Sequence, residues 1–412
     1  MSIPSIIKRL RANNEDFKQL ILTADEIGLQ ENQEQPEDPN DETRATSKNI
    51  DILAEAIQSN QTVQSVFLDH FFVRNLSREE ICKLFTAIGS LPRLEQLSAL
   101  SRQAEGWSIP MHAMSCFMDQ TKALSSLRLS SIGLVGTVED FTNFAKSIQS
   151  QSFMKEFCLR GACIVDGRIP LDNLLRSLSA VPLLEKIELT AMDLHQDLGG
   201  EWPNSPSSAL RFCQSSSLKS LELGGWVLDE DLVLKMASAL ETNHSLRSLI
   251  MLDSNITNKG CVALSKMLAV NKTIERLDLS YNRISDPGCS ALANSLTFNT
   301  SLKEIGLFGN FQVRSRDMFL RIVEQSNFTL EDLLLDSEWD AEMNFYLNLN
   351  RVNRRGVLQN EGLTRREWVH ALVNVQDEKN CLLDAPQETL SYLFYFIMAK
   401  PHFVLATVTQ GE

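Results

Sequence analysis

Six histidines and eight cysteines are the residues of this 412-residue chain best suited to metal binding or nucleophilic chemistry, and their spacing argues against both. His70, His112, His195, His244, His370 and His402 are far apart, and none has the short partner spacing of a zinc ligand set. The cysteines form no C-x-x-C pair; Cys158 and Cys163 lie close together, but no His-rich set accompanies them. Cys261 and Cys289 stand 28 residues apart in the same slot of a repeating pattern, which marks them as small packing residues. No phosphate-binding glycine loop, H-E-x-x-H, G-x-S-x-G or EF-hand loop occurs. The chain is therefore expected to be non-enzymatic, with no catalytic residues, no metal site and no cofactor. Its scattered cysteines read as reduced thiols in a cytoplasmic or nuclear compartment.

The repeating pattern decides the architecture. Ten anchors (Val63, Leu94, Leu124, Met154, Leu184, Leu218, Leu246, Ile274, Leu302 and Leu330) are each followed by apolar residues three and five positions later. The last five anchors are each 28 residues apart. The alternation, as in Leu277-Asp278-Leu279, has the period of a half-buried strand. A helical half follows: Gly288, Leu292 and Leu296 fall four apart, with Ser285 or Asp286 as a cap and Pro287 in the first turn. Neither half buries its apolar face alone, so stacked units must supply each other's cover. The pattern L-x-x-L-x-L-x-x-N-x-L is that of a leucine-rich repeat.

Segments 246–256, 274–284 and 302–312 resemble the ribonuclease-inhibitor-type leucine-rich repeat proteins. The resemblance covers about residues 49 to 340. It implies an α/β solenoid, a horseshoe with a parallel inner β-sheet, outer α-helices and a helical C-terminal cap. It implies little about function, although the same repeat type occurs in sensor regions of innate-immune receptors and in a Ran GTPase-activating protein. One departure stands out: the asparagine position holds Phe71, Arg102, Ile132, Ala162, Met192, Trp226, Ser254, Asn282, Asn310 and Glu338. With only two asparagines, the buried ladder of the family is expected to be mostly absent.

Around the repeats, the sequence divides into an N-terminal helix (1–29), an acidic disordered linker (30–48), a solenoid of about ten repeats (49–340) and a helical cap (341–412). The helix over Ile50 to Ile57 is expected to close the solenoid's open end. A spacing of 34 between Leu184 and Leu218 implies a loop over 198–208 carrying Trp202. No stretch is long enough to span a bilayer; the most apolar, Tyr392 to Ala399, is short and ends at Lys400 and Pro401.

With the anchor as position 1, positions 3, 5, 7 and 8 should project from the sheet. They comprise nine acids (Asp69, Glu156, Glu188, Glu222, Asp253, Asp278, Glu304, Asp332 and Asp336) and four bases (Arg128, Arg160, Lys186 and Arg276), a net of −5. The whole chain carries 39 Lys and Arg against 53 Asp and Glu, net −14, which disfavours nucleic acid. Like charges on one wall add their fields, so a protein partner with a basic patch is expected. Apolar Ile250, Leu252, Tyr281, Phe308 and Leu334 share that face with Asp278 and Glu304, and these seven residues form the expected partner-binding site, cover of the apolar ones by the C-terminal cap or a second copy being the alternative. The leading function is a protein–protein interaction scaffold. A small-GTPase regulator, with Arg128 or Arg160 as its working arginine, is the alternative. Oligomeric state is not set by the sequence.

Overall fold

Each anchored segment becomes a strand because its apolar residues alternate, and each strand finds its neighbour one coil away. The computed structural model describes residues 3–23, 39–69, 76–100, 108–164, 171–191, 207–310, 316–335 and 341–351. The chain forms two units, Met1–Asn327 with Asp332–Trp339 and Phe328–Glu331 with Asp340–Glu412.

The strands of the first unit are β1 (Gln19–Leu22), β2 (Ser65–Asp69), β3 (Gln96–Leu100), β4 (Ser108–Pro110), β5 (Ser126–Ser130), β6 (Gly133–Val135), β7 (Glu156–Ile164), β8 (Lys186–Ala191), β9 (Ser220–Gly224), β10 (Ser248–Ile250), β11 (Arg276–Asp278), β12 (Glu304–Gly306) and β13 (Asp332–Leu334). Eleven form one parallel path in the order β1-β2-β3-β5-β7-β8-β9-β10-β11-β12-β13. β4 and β6 pair with each other, and β6 also pairs with β7. Register is kept coil by coil, so that Leu221, Leu249, Leu277, Ile305 and Leu333 stand side by side. The first four of these, with Leu279 and Leu307, are buried to within 1% exposure. Each such side chain contributes roughly 1.5–3 kcal/mol.

Helices alternate with the strands: α1 (Ile3–Ala12), α2 (Pro39–Gln58), α3 (Arg78–Gly89), α4 (Met111–Gln120), α5 (Val138–Gln149), α6 (Leu171–Leu178), α7 (Leu210–Cys213), α8 (Glu230–Leu240), α9 (Asn258–Val270), α10 (Asp286–Leu296) and α11 (Arg316–Gln325). Their starts are written locally. Ser77 with Glu80 and Thr137 with Asp140 make reciprocal capping boxes on α3 and α5. α10 is capped differently. Ser285 is its N-cap but makes no cap bond of its own. Asn258 of the preceding coil accepts from the Ser285 and Gly288 amides at 2.9 and 3.2 Å. The second unit holds α12 (Ala341–Arg351), where Asn350 Nδ2 donates to the Leu330 carbonyl at 2.8 Å.

Three expectations change. The N-terminal segment is not one helix: α1 ends at Ala12, Asn13 takes a left-handed backbone (φ 48°), and Gln19–Leu22 is a strand paired with β2. Leu20 and Leu22 face in while Ile21 faces out, a period of two that so short an apolar run hides. The helix over Ile50 to Ile57 is thus preceded by a further strand, and it begins at Pro39, so that 39–48 of the expected linker is helical. Residues 24–38, the Trp202 loop up to Pro206 and the cap beyond Arg351 lie outside the described residues.

The asparagine ladder is the third change. Asn282 donates to Met251 O at 2.8 Å and accepts from the Ser254 and Ile256 amides at 2.9 Å. Asn310 donates to Leu279 O at 2.9 Å. The same carbonyl position one coil earlier is reached by Ser254 Oγ, to Leu223 O at 2.8 Å, and one earlier again by Trp226 Nε1, to Leu189 O at 2.9 Å. Residues with a single polar hydrogen therefore extend the ladder by two coils, while Ile132 and Ala162 at the same slot offer no side-chain donor, as the missing asparagines implied for the earlier coils.

A second ladder runs along the opposite turn, three residues before each anchor. Asn243, Asn271 and Asn299 each donate to two carbonyls of the preceding coil and accept two amides of their own turn, at 2.7–3.1 Å. Asn60 makes a similar set at the N-terminal end, and Thr121 and Gln151 a thinner one between. These turns would otherwise bury unpaired backbone groups, at about 1–3 kcal/mol each.

Candidate functional site

The outward positions of the sheet build two different surfaces. Over β5, β7 and β8 the surface is an ion-pair network. Arg128 grips Glu156 through Nε and Nη2 at 3.0 and 2.9 Å, and Ser126 Oγ adds a bond of 2.9 Å. Lys186 lies between two acids, 3.2 Å from Glu156 and 3.4 Å from Glu188. Arg160 pairs with Glu188. Burial pushes the Glu156 and Glu188 carboxyls up, but Arg128, Ser126 and Lys186 on the first, and Cys158, Arg160 and Lys186 on the second, hold both below the usual carboxylate range. Glu222, in register with Glu188, goes the other way: burial and the Glu188 charge raise it.

All four bases expected on this face therefore sit against its own acids, since Arg276 also pairs with Glu304 at 3.2 Å. Arg128 and Arg160 are each about half exposed at the side chain but point their guanidinium groups at glutamates of the next coil. An arginine that must reach a partner's phosphate would first have to break such a pair.

Over β10 to β13 the surface is apolar and acidic. Tyr281, Phe308 and Leu334 are 52%, 43% and 51% exposed. Ile250, Leu252 and Asp278 are half-buried, and Glu304 is exposed. Register puts Ile250, Asp278, Gly306 and Leu334 in one lateral row, with Arg276, Glu304 and Asp332 in the next. The Tyr281 and Phe308 rings meet edge to face, with centroids 5.4 Å apart and planes at 71°. Such a contact is worth about 0.5–1.5 kcal/mol beyond buried area. The seven expected site residues thus share one face, and the two rings touch.

Tyr281 also carries backbone strain. Position 8 turns the chain out of the strand in a left-handed conformation, seen at Ser131, Gly225, Asp253, Tyr281 and Gly309 with φ between 48° and 72°. Glycine takes this shape freely. For a bulky side chain it is an outlier costing about 1–3 kcal/mol.

Four of the described thiols are held in their neutral form. Burial pushes Cys158 and Cys213 up to about 12 and Cys289 to about 11, and raises Cys261 as well. Cys116 lies 3.6 Å from His112 Nε2 on the helical side. Among the described residues no group of three His, Cys, Asp or Glu could hold a metal ion, and no helix is long and apolar enough to cross a membrane.

A family model described as "Leucine Rich repeat" matches residues 242–265 and 270–293, the coils anchored at Leu246 and Ile274. The fold is a leucine-rich repeat solenoid. Similar solved structures give partial likenesses. Leiomodin-1 at its actin-binding site 2 is 18% identical with a TM-score of 0.34, covering 38% of this chain and 93% of that one. The tropomodulin C-terminal domain of Caenorhabditis elegans is 14% identical with a TM-score of 0.32, covering 37% and 98%. A TLR13–ssRNA13 complex is 14% identical with a TM-score of 0.39, covering 72% and 36%. At these scores the partners of those proteins say nothing of this one. No curated protein matches the chain in sequence.

Proposed function

We propose that this leucine-rich repeat solenoid is a non-enzymatic scaffold that holds a partner protein on the outward face of its last coils, over Ile250, Leu252, Asp278, Tyr281, Glu304, Phe308 and Leu334. The observation that carries the reading is the Tyr281–Phe308 pair: two aromatic rings in mutual contact, each left about half exposed on a preformed sheet. Aromatic residues at the centre of a patch with charges around it are the composition of a binding hot spot. A rigid sheet lowers the ordering cost of association. Asp253, Asp278, Glu304 and Asp332 share the outward face with the rings, and their charge calls for a partner with a basic patch. Six described thiols are free, which fits a reducing, cytoplasmic or nuclear setting. The same acidic balance argues against nucleic acid and an anionic membrane surface.

The test is an affinity capture from native lysate using the full chain and its Tyr281→Ala/Phe308→Ala double variant. Proteins retained by the parent and lost from a folded double variant support the reading. An unchanged retained set contradicts it. A small-GTPase regulator has no observation in its favour, because Arg128 and Arg160 are held by Glu156 and Glu188. A GTP hydrolysis rate stimulated by the chain and abolished by Arg128→Ala or Arg160→Ala would revive it.

A further inference from the structure

The patch has a finer geometry than exposure alone conveys, and two glycines create it. A Cβ on Gly306 would collide with the Asp278 carboxyl and come within 2.9 Å of Ser280 Oγ. A Cβ on Gly309 would come within 2.5 Å of Tyr281 Cδ1. The carboxylate of Asp278 and the ring of Tyr281 therefore both lean onto bare backbone of the next coil, one on each side of Phe308. The Ser280 amide, 2.9 Å from Asp278 Oδ1, aims the carboxylate. Gly309 and Phe308 fix the Tyr281 ring.

This arrangement is held against backbone preference. Tyr281 keeps a left-handed φ of 57° where the same slot in other coils carries Ser131, Gly225, Asp253 or Gly309. With half its surface in water, the ring returns little burial to the fold. Strain of this kind at an exposed aromatic points to a use for the side chain itself.

We infer that Asp278, Tyr281 and Phe308 form a receptor for an arginine side chain of the partner protein. The guanidinium plane stacks on the aromatic pair while its N–H groups donate to the Asp278 carboxylate. Charge complementarity selects this occupant over an apolar one. Asp253 occupies the slot beside Tyr281 in the preceding coil, and Arg276, two residues before Asp278, is drawn off to Glu304. The inference rests on the last coils being the binding face, and it names what they bind.

The test measures anisotropy of a fluorescein-labelled deca-arginine peptide with the full chain at physiological salt. Tyr281→Gly removes the ring, keeps the net charge and relieves the strained backbone. It should weaken binding roughly fivefold while leaving the thermal midpoint no lower than the parent's. Phe308→Ala and Asp278→Asn should weaken it comparably. Glu139→Gln, an exposed charge-matched change on α5, should leave it unchanged. Equal affinity for the parent and Tyr281→Gly would overturn the inference, as would a Tyr281→Gly chain that no longer folds. Loss of the captured partner by the double variant, beside unchanged peptide binding by Tyr281→Gly, would sink the arginine receptor and leave the binding face standing. No effect in either assay would sink both.

Discussion

The coils anchored from Leu94 to Leu184 and those anchored from Leu218 to Leu330 share a backbone path and differ in what keeps neighbouring coils together. In the earlier set, side chains on the sheet surface reach across to the next strand: Arg128 to Glu156, Lys186 to Glu156 and Glu188, Arg160 to Glu188. At their turns Gln151 Nε2 reaches Met118 O of the preceding coil, while Thr121 bonds the same carbonyl within its own turn. In the later set the turns carry the load, with Asn243, Asn271 and Asn299 on one side and Asn282 and Asn310 on the other. Coils fastened at their turns, with Arg276–Glu304 the pair across their sheet already described, leave apolar side chains on that surface for display. Tyr281, Phe308 and Leu334 stand exposed there, and among the described residues of β5, β7 and β8 no large apolar side chain does.

The comparison can be broken at its turns first. Asn271→Ala removes four bonds to backbone and leaves the Thr273 and Ile274 amides without that acceptor, so it should cost about 3 kcal/mol in urea unfolding. Gln151→Ala should cost about 1 kcal/mol. Equal losses would erase the distinction between the two sets. A smaller effect is expected on the earlier surface. Glu188→Gln takes away the charge that Arg160 and Lys186 face, and because both cations are about half exposed the loss should be about 1 kcal/mol near neutral pH. The folded carboxyl is held below its ordinary value of 4.5, so its stabilisation is present above that pH and is lost as pH falls through the folded value. The gap between parent and variant should therefore close in acid.

Glu222→Gln should give the smallest change and the opposite sign. Its folded carboxyl lies above 4.5, raised by burial and Glu188, so its contribution exists at low pH and vanishes as pH rises through the folded value. The variant should be slightly more stable than the parent at pH 7 and indistinguishable at pH 4 by thermal denaturation. A variant less stable at pH 7 would show that Glu222 belongs to the ion-pair network after all.

The repeat itself was legible because fixed-period apolar spacing survives without knowledge of any neighbour. Leu277 and Leu279 are buried and Asp278 is not, as the alternation implied. The seven expected site residues project together for the same reason. What the sequence hid depends on contacts between coils. Gln19–Leu22 is a four-residue strand whose apolar run fits a helix equally well, and only its pairing with β2 decides. Trp226 and Ser254 do not look like asparagine, yet each delivers one hydrogen to the carbonyl that asparagine would reach. The second ladder was written in plain view, since Asn243, Asn271, Asn299 and Asn327 are each 28 residues apart. That period marks the slot but not the carbonyls of the preceding coil that each asparagine reaches. The lean of Asp278 and Tyr281 over Gly306 and Gly309 had no one-dimensional signal, because it joins residues of adjacent coils.

The turn that leaves β11 buries Leu279 and frees Tyr281, and two truncations two residues apart test that division. Leu279→Ala and Tyr281→Ala are compared by equilibrium denaturation under identical conditions. The expected result is a loss of about 2–5 kcal/mol for Leu279→Ala and a change within about 0.5 kcal/mol for Tyr281→Ala. A Tyr281→Ala chain destabilised as much as Leu279→Ala would make the aromatic pair part of the core and remove the binding face.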